Sequence, residues 1–420
     1  MPACGLDFGT SNSAVALATG EVLRVEPLVD QPRLSRSVLF FPEETNETLT
    51  GGDAIERYLQ DNAGRFIQSM KTWLPSTSFT KTQIRNRTLS LEELIAIFLR
   101  SLRGQASRAS GLELDEVVLG RPARFSVDPK IDAFAEQRLK KAAELAGFRK
   151  VSFVIEPIAA ALAYEATLNH DEQVLVVDFG AGTTDFTLMK LGPSHRSRGD
   201  RRADVIASSG VYVGGDRFDA AIMKHKLLPY FGQGSTYEVG FKRMPIPTYV
   251  LGRLSSWNEM SLIREKSTRE LIDMMLRSSD AKPAIQALHD LVIYNLGYRL
   301  YRAIEKAKIE LSTQKATHVR FDDERVKIDE KVTRAEFERF CAPLIDELEE
   351  CSDALMARVP QPVRIDSVFL TGGSSQIPAV QQLFARRFGA DRLRTADAFT
   401  SVVEGLGRAS DSAFQLTAER

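Results

Sequence analysis

Three carboxylates in this chain stand where an apolar run gives out: Asp7, Glu156 and Asp178. Asp7 opens Asp7-Phe8-Gly9-Thr10-Ser11-Asn12, and Asp178 opens Asp178-Phe179-Gly180-Ala181-Gly182-Thr183-Thr184-Asp185. The same Asp-Phe-Gly, followed by hydroxyl residues, thus occurs twice. Glycine reaches positive φ and lets an anion approach the backbone amides closely. Threonine hydroxyls donate to phosphate oxygens. Carboxylates repel phosphate, so their presence beside such turns implies a bridging cation, a Mg2+ that keeps most of its waters. Two more glycine turns follow strand-like runs, Gly214-Gly215 and Gly372-Gly373 before Ser374. Singly, each turn is weak evidence, and the one at 180–182 has an ordinary hairpin as its alternative. Together with three strand-end acids they imply a nucleotide site with a metal.

The elements that must position these residues follow from periodicity. Residues 5–25 read as strand, Asp7 turn and strand, 27–37 as loop, and 38–41 as strand. Residues 53–74 read mainly as helix, with Lys71 near its end. Ser90-Leu91-Glu92-Glu93 is a capping box ahead of an apolar stripe at Leu94, Ile97, Phe98 and Leu102. Strands at 117–119 and 151–155 bracket an amphipathic helix at 131–147. The second strand runs into Glu156-Pro157 and an alanine-rich helix, with proline in its favoured first turn. Such strand ends are where α/β folds place functional groups. Beyond the 174–188 hairpin, 192–202 reads as a basic, solvated hairpin tip and 254–291 as helix interrupted at Pro283. A helix over 295–312 sets Glu305, Lys308 and Ser312 on one face. A strand at 363–370 and helices at 377–388 and 398–410 complete the pattern.

The 420 residues allow two lobes with a cleft. A hydrophobic content of 43% and a net charge of −1 describe an ordinary globular chain and do not suggest nucleic acid or an anionic membrane as the main partner. No apolar run approaches the roughly 20 residues of a bilayer span. Cys4, Cys341 and Cys351 lack metal-like spacing and no apolar leader precedes Asp7, so a cytoplasmic chain is the expectation. Nothing in the sequence sets an oligomeric state. A protein-kinase reading of Asp-Phe-Gly fails because no His-Arg-Asp loop precedes it, and no P-loop is present. The five histidines lack ligand spacing.

The Asp7, Asp178 and Gly372 segments resemble the phosphate-1, phosphate-2 and adenosine motifs of the actin-like ATPase superfamily. Glu156-Pro157-Ile158-Ala159-Ala160-Ala161-Leu162-Ala163-Tyr164, with Gly214-Gly215-Asp216-Arg217-Phe218-Asp219, narrows the resemblance to the ATPase domain of the heat-shock protein 70 family. Among its members the chain looks most like the short, divergent YegD-like ones. The resemblance implies an α/β, ribonuclease H-like fold of two lobes, each a mixed five-stranded sheet with flanking helices and an outer subdomain. Lobe I would be 1–170, with a C-terminal helix 391–420 returning to it, and lobe II 171–390, enlarged at about 216–340. It implies ATP or ADP as ligand with Mg2+, and K+ as a further cation. By the same resemblance Asp7, Asp178 and Asp185 would serve the metal and its water shell. Lys71, Glu156, Asp178 and Thr183 would serve hydrolysis. Gly9, Thr10, Ser11, Asn12, Gly180, Gly182, Thr183 and Thr184 would bind phosphates, and Gly214, Gly215, Glu305, Lys308, Ser312, Gly372, Gly373 and Ser374 the rest of the nucleotide. Pro122 matches a switch proline between lobes.

The departures are specific. Ile309 and Gln376 stand where the family carries arginines, one of them the residue that stacks on adenine. An arginine face contributes about 1–2 kcal/mol there, so altered nucleotide binding is expected. About 90 residues separate Gly215 from Glu305, more than the family's spacing, which places an insertion suited to a protein partner in lobe II. No peptide-binding domain follows in this sequence. The expectation is a chaperone-like ATPase, with a nucleotide-dependent interaction module or a small-molecule kinase as alternatives.

Overall fold

The computed structural model describes residues 3–17, 22–23, 34–196, 201–359, 363–395 and 400–410. Parts of the loop at 27–37, the basic tip at 192–202 and the C-terminal helix at 391–420 lie outside the described residues. The chain divides into two compact units. One is Met1–Tyr212 with Leu348–Ser375 and Gln381–Arg420, the other Val213–Glu347 with Gln376–Val380.

The first unit is built on two sheets of one design. In the first sheet Ala3–Phe8 and Asn12–Leu17 form an antiparallel hairpin, and Glu116–Arg121 and then Lys150–Ile155 add in parallel beside Ala3–Phe8. Val22–Leu23 and the short Ser35–Arg36 pair with Asn12–Leu17. In the second, Glu172–Phe179 and Thr184–Leu191 form the hairpin, extended antiparallel by Val205–Val211 and in parallel by Ser367–Thr371 and Leu393–Thr395. Each sheet is thus a five-strand path in the same order and sense, with an Asp-Phe-Gly turn at its hairpin. The sequence twin is a twin in topology.

Parallel neighbours need crossovers, which Leu91–Ser110 and Pro129–Leu145 supply in the first sheet. The first of these helices begins as the capping box requires. Glu93 N–H donates to Ser90 Oγ at 3.2 Å and Ser90 N–H to Glu93 Oε2 at 2.8 Å. The Glu156 helix, Glu156–Glu165, is buried round most of its girth, among Val118 and Val154 of the first sheet and Val174 and Val176 of the second. A helix apolar on all sides belongs in a core, and Ile158 and Leu162 each contribute about 1.5–3 kcal/mol by leaving water. The helix Ser401–Ala409 lies against it at a distance only glycine permits. A Cβ on Gly405 would stand 1.7 Å from the Ala159 carbonyl oxygen, and one on Gly5 2.2 Å from Gly407 N.

Three expectations are corrected. Residues 53–74 are not one helix: the helix is Gly51–Gln60. Gly64, at φ +143° against the Phe41 carbonyl, cannot continue it, and Gly64–Ile67 instead pairs with Leu39–Pro42. Pro283 does not interrupt a helix but starts one, Lys282–Ile293, in the first turn where its missing N–H costs nothing. The basic tip is not solvated at its root. Arg201 is fully buried, with both terminal nitrogens 2.8 Å from Glu165 and Nε 2.6 Å from Asp204, which also pairs with His195 Nδ1 at 2.7 Å. Two carboxylates, one at the end of the Glu156 helix, draw that charge inward.

The second unit carries the helix Gly215–Ile222, the hairpin Thr236–Val239 with Lys242–Pro245, the helices Thr248–Ser255, Lys266–Ser278, Lys282–Ile293 and Gly297–Thr313, and the hairpin Ala316–Asp322 with Lys327–Thr333. Among the described residues no helix is long and apolar enough to cross a membrane.

Candidate nucleotide site

Lys71 arrives by a strained turn. Ser69, at φ +52°, occupies the left-handed region that non-glycine residues avoid, and the 3-10 turn Met70–Trp73 follows it. Met70 and Leu74 are fully buried on either side. Arg138 donates to the carbonyls of Trp73, Leu74, Ser76 and Phe79 at 2.9–3.3 Å while pairing with Glu92 at 2.5 Å, and so staples the segment after the turn. Held in this way, Lys71 Nζ reaches Glu156 Oε1 at 2.5 Å. Glu156 is the first residue of its helix, where a carboxylate suits the helix dipole.

Asp178 and Asp185 are directly opposite on the second hairpin. Like charges so placed repel, and a purely structural strand would avoid them. Gly210 faces Asp185 from the next strand, and a Cβ there would stand 2.8 Å from Asp185 Oδ1. Asp185 accepts the Ala123 N–H at 3.0 Å and the Thr183 hydroxyl at 3.3 Å. Burial first, and then Glu156, push Asp7 up to about 7 against the opposing Lys71. Burial and then Glu156 bring Asp185 to about 7 as well. Asp178 is pushed well above the carboxylate range by burial, then by Glu156, Asp185 and Asp7. Burial works against the Lys71 ammonium, yet Glu156, Asp7 and Asp178 hold its pKa above the ordinary value. Four acids share one ammonium, so their ionised forms lack a matching positive charge.

The phosphate turns sit on the same strand ends. A Cβ on Gly9 would stand 2.1 Å from the Asn12 carbonyl oxygen, and Gly372, at φ +81°, would put one 2.1 Å from that of Phe179. Gly180 N–H closes its turn on the Thr183 carbonyl at 2.9 Å, and the space beside Gly182 is open. Thr10 and Ser11 are half-buried, Thr184 is fully buried, and Ser374 is buried in the 3-10 turn that Gly373 begins. Asn12 Oδ1 is buried with no hydrogen-bond partner. A cation carried by an anionic ligand fits this set, supplying the missing charge beside an unpartnered amide. Among the described residues no three His, Cys, Asp or Glu side chains converge as a direct metal cage.

The other expected residues belong to the second unit. Gly214 caps the helix Gly215–Ile222, and Lys308 Nζ donates to the Gly215 carbonyl at 3.3 Å and to Asp219 Oδ2 at 2.8 Å. Glu305 accepts from Arg302 at 3.0 Å, and Ser312 Oγ donates to the Lys308 carbonyl at 3.5 Å. Gly215, Lys308 and Ser312 are thus brought together, and Ile309 is exposed nearby on the same helix. Sequence reasoning did not reach Arg138, Ala123 or Gly210. Their roles come from strands and helices far apart in the chain, and no local spacing announces them. Asp219 lies inside a recognised motif, but its partnership with Lys308 spans 89 residues.

The chain matches the family model described as Hsp70 protein over residues 75–239 and 265–407. The chain belongs to the Hsp70 family. Its fold class is accordingly the mixed α/β, actin-like ATPase fold, with the two five-strand mixed sheets described above. The chaperone protein DnaK of Thermosipho africanus (strain TCF52B) is 28% identical over 411 residues, 96% of this Hsp70 chain and 57% of that relative. This Hsp70 chain therefore spans little more than half the length of that curated relative. The resemblance supports a chaperone-like, nucleotide-binding ATPase domain as the class. Glu156, Asp178, Asp185, Lys308 and Gly372 lie within the matched residues, while Asp7 and Lys71 precede them and 240–264 interrupts them.

Proposed function

We propose that this chain binds ATP or ADP with Mg2+ and hydrolyses ATP slowly to ADP and phosphate, as a chaperone-like ATPase. One observation carries the reading: Asp7, Asp178 and Asp185, on two hairpins of the same design, gather with the helix-start Glu156 about Lys71. Mg2+, with K+ as a further cation, would supply the positive charge that the phosphates and these acids lack. Asp7 and Asp178 would orient its waters, and Asp185 would complete the network. Lys71, aimed by Glu156, would meet the γ-phosphate and the attacking water. Thr10 and Thr183, with Gly9, Ser11, Asn12, Gly180, Gly182 and Thr184, would hold phosphates, and Gly372, Gly373 and Ser374 would receive the nucleotide beyond them. By the resemblance alone, Glu305, Lys308 and Ser312 of the second unit are assigned to adenosine, and Gly214 and Gly215 to the nucleotide. Positioning and charge neutralisation then account for the chemistry.

The test is phosphate release from ATP by the purified chain. Slow release is expected that stops on chelation of Mg2+ and in Lys71→Ala. Release indifferent to Lys71→Ala, or transfer to a sugar in place of water, overturns the reading. A second reading, a nucleotide-dependent interaction module, is favoured by Phe241, fully exposed within the stretch that the family match leaves out. It stands if Lys71→Ala abolishes no hydrolysis because none exists, while ATP-dependent protein binding persists.

A further inference from the structure

Residues 121–125, which leave the strand Glu116–Arg121, are pinned at both ends by one carboxylate of the helix Pro129–Leu145. Arg121 donates to both oxygens of Asp132 at 2.9 and 2.8 Å and also pairs with Glu136. Phe125 N–H donates to Asp132 Oδ1 at 2.6 Å, and the Arg121 guanidinium stands over the Phe125 ring at 5.2 Å. Between these pins the Ala123 N–H reaches across to Asp185 Oδ1 at 3.0 Å. A second bond joins the same stretch to the second sheet: the Tyr212 hydroxyl donates to the Phe125 carbonyl at 3.1 Å.

Tyr212 follows directly on the strand Val205–Val211, two residues beyond the Gly210 that faces Asp185. The two bonds therefore rise from neighbouring strands and close on residues two apart. Tyr212 is 56% exposed, so burial of its ring does not account for its position. A hydrogen bond to an ionised carboxylate is the stronger and more directional kind, but it orients the carboxylate only if its donor is itself fixed.

We propose that Tyr212 is a positioning residue for Asp185: by holding the Phe125 carbonyl it keeps the Ala123 N–H on the Asp185 carboxylate. The loop 121–125 and the acid cluster then move as one piece, and whatever displaces the loop turns Asp185 away from Asp178. The consequence for hydrolysis rests on the proposed role of Asp185 in the Mg2+ and water network. The clasp itself does not.

The experiment uses the full chain with Tyr212→Phe, which keeps the ring and removes only the donor. Hydrogen exchange of the Ala123 amide is expected to quicken about five-fold, the effect of one lost hydrogen bond, while amides of the first sheet remote from residues 121–125 exchange as in the parent chain. Exchange at Ala123 equal to that of the parent chain overturns the proposal, whether or not the chain hydrolyses ATP. The second readout is the Mg2+ concentration giving half-maximal phosphate release, expected to rise several-fold while KM for ATP holds. An unchanged Mg2+ requirement beside faster exchange overturns the positioning role. A parent chain that releases no phosphate counts against the ATPase reading alone, and the Ala123 exchange then decides the clasp.

Discussion

Replacing Lys71 by methionine keeps the buried stem and removes the ammonium from among four carboxylates. At an effective dielectric of about 20, opposite charges 2.5 Å apart attract by about 6–7 kcal/mol. Taking each ion out of water costs several kcal/mol, so the intact pair nets little. Rupture is different: Glu156 left uncompensated beside Asp7 and Asp178 costs roughly 3–5 kcal/mol. Glu156→Gln instead removes the charge that raises Asp7, Asp178 and Asp185 alike, and should cost about 1 kcal/mol. The double variant should therefore be more stable than Lys71→Met alone, with a coupling of roughly 2–3 kcal/mol. The pH dependence has a definite sign. Lys71 lowers the pKa of Asp7, Asp178 and Asp185, so its loss raises them further. An acid whose folded pKa exceeds its unfolded value contributes stability at low pH and loses it as pH climbs through the folded value. The Lys71→Met deficit should thus be larger near pH 8.5 than near pH 5.5. Urea unfolding of the four chains at both pH values, read by tryptophan fluorescence in a Trp257→Phe background that leaves Trp73 two residues away as the reporter, measures it. Additive costs, or a Lys71→Met deficit equal at both pH values, would refute the ammonium as counter-ion of the cluster.

The nucleotide-free chain should lose stability as pH rises from about 4 to about 7, since Asp7 and Asp185 go from an ordinary 3.8 to about 7 on folding, worth up to roughly 4 kcal/mol each. Thermal melting of Asp7→Asn with Asp185→Asn should show that slope flattened. Ser69→Gly should stabilise by up to about 1 kcal/mol, because relief of the left-handed serine outweighs the added chain entropy of glycine, whereas Ser69→Val should destabilise; urea midpoints check both. Arg201→Met should cost roughly 3–5 kcal/mol by stranding Glu165 and Asp204, read in the same assay.

What was legible in the sequence is what local rules encode. The Ser90 capping box, the Glu156-Pro157 helix start and the paired Asp-Phe-Gly turns depend on neighbours within a few residues, and they lie where periodicity sets them. Residues 53–74 escaped because a short apolar stretch has no intrinsic preference once Gly64 breaks the helix and a strand edge lies free to take it. The basic tip escaped because charge alone does not reveal that Glu165 and Asp204 wait inside. Within the site, acids at strand ends could be read directly, whereas the Asp178–Asp185 opposition needs the hairpin register. The Ala123 and Tyr212 bonds need two sheets brought together.

The seam between Gly405, Gly407 and the older parts of the chain bears on how the molecule is made. Gly5 waits for a contact roughly 400 residues downstream, and the Glu156 helix for one about 240 residues after its own end. At about 5–20 residues per second, translation leaves the back of that helix open for roughly 12–50 s. During this time the whole second unit is synthesised while the first cannot close. A chain of a chaperone family thus spends much of its own synthesis with an unsealed apolar groove, and in the ribosome-bound intermediate that groove is open to aggregation.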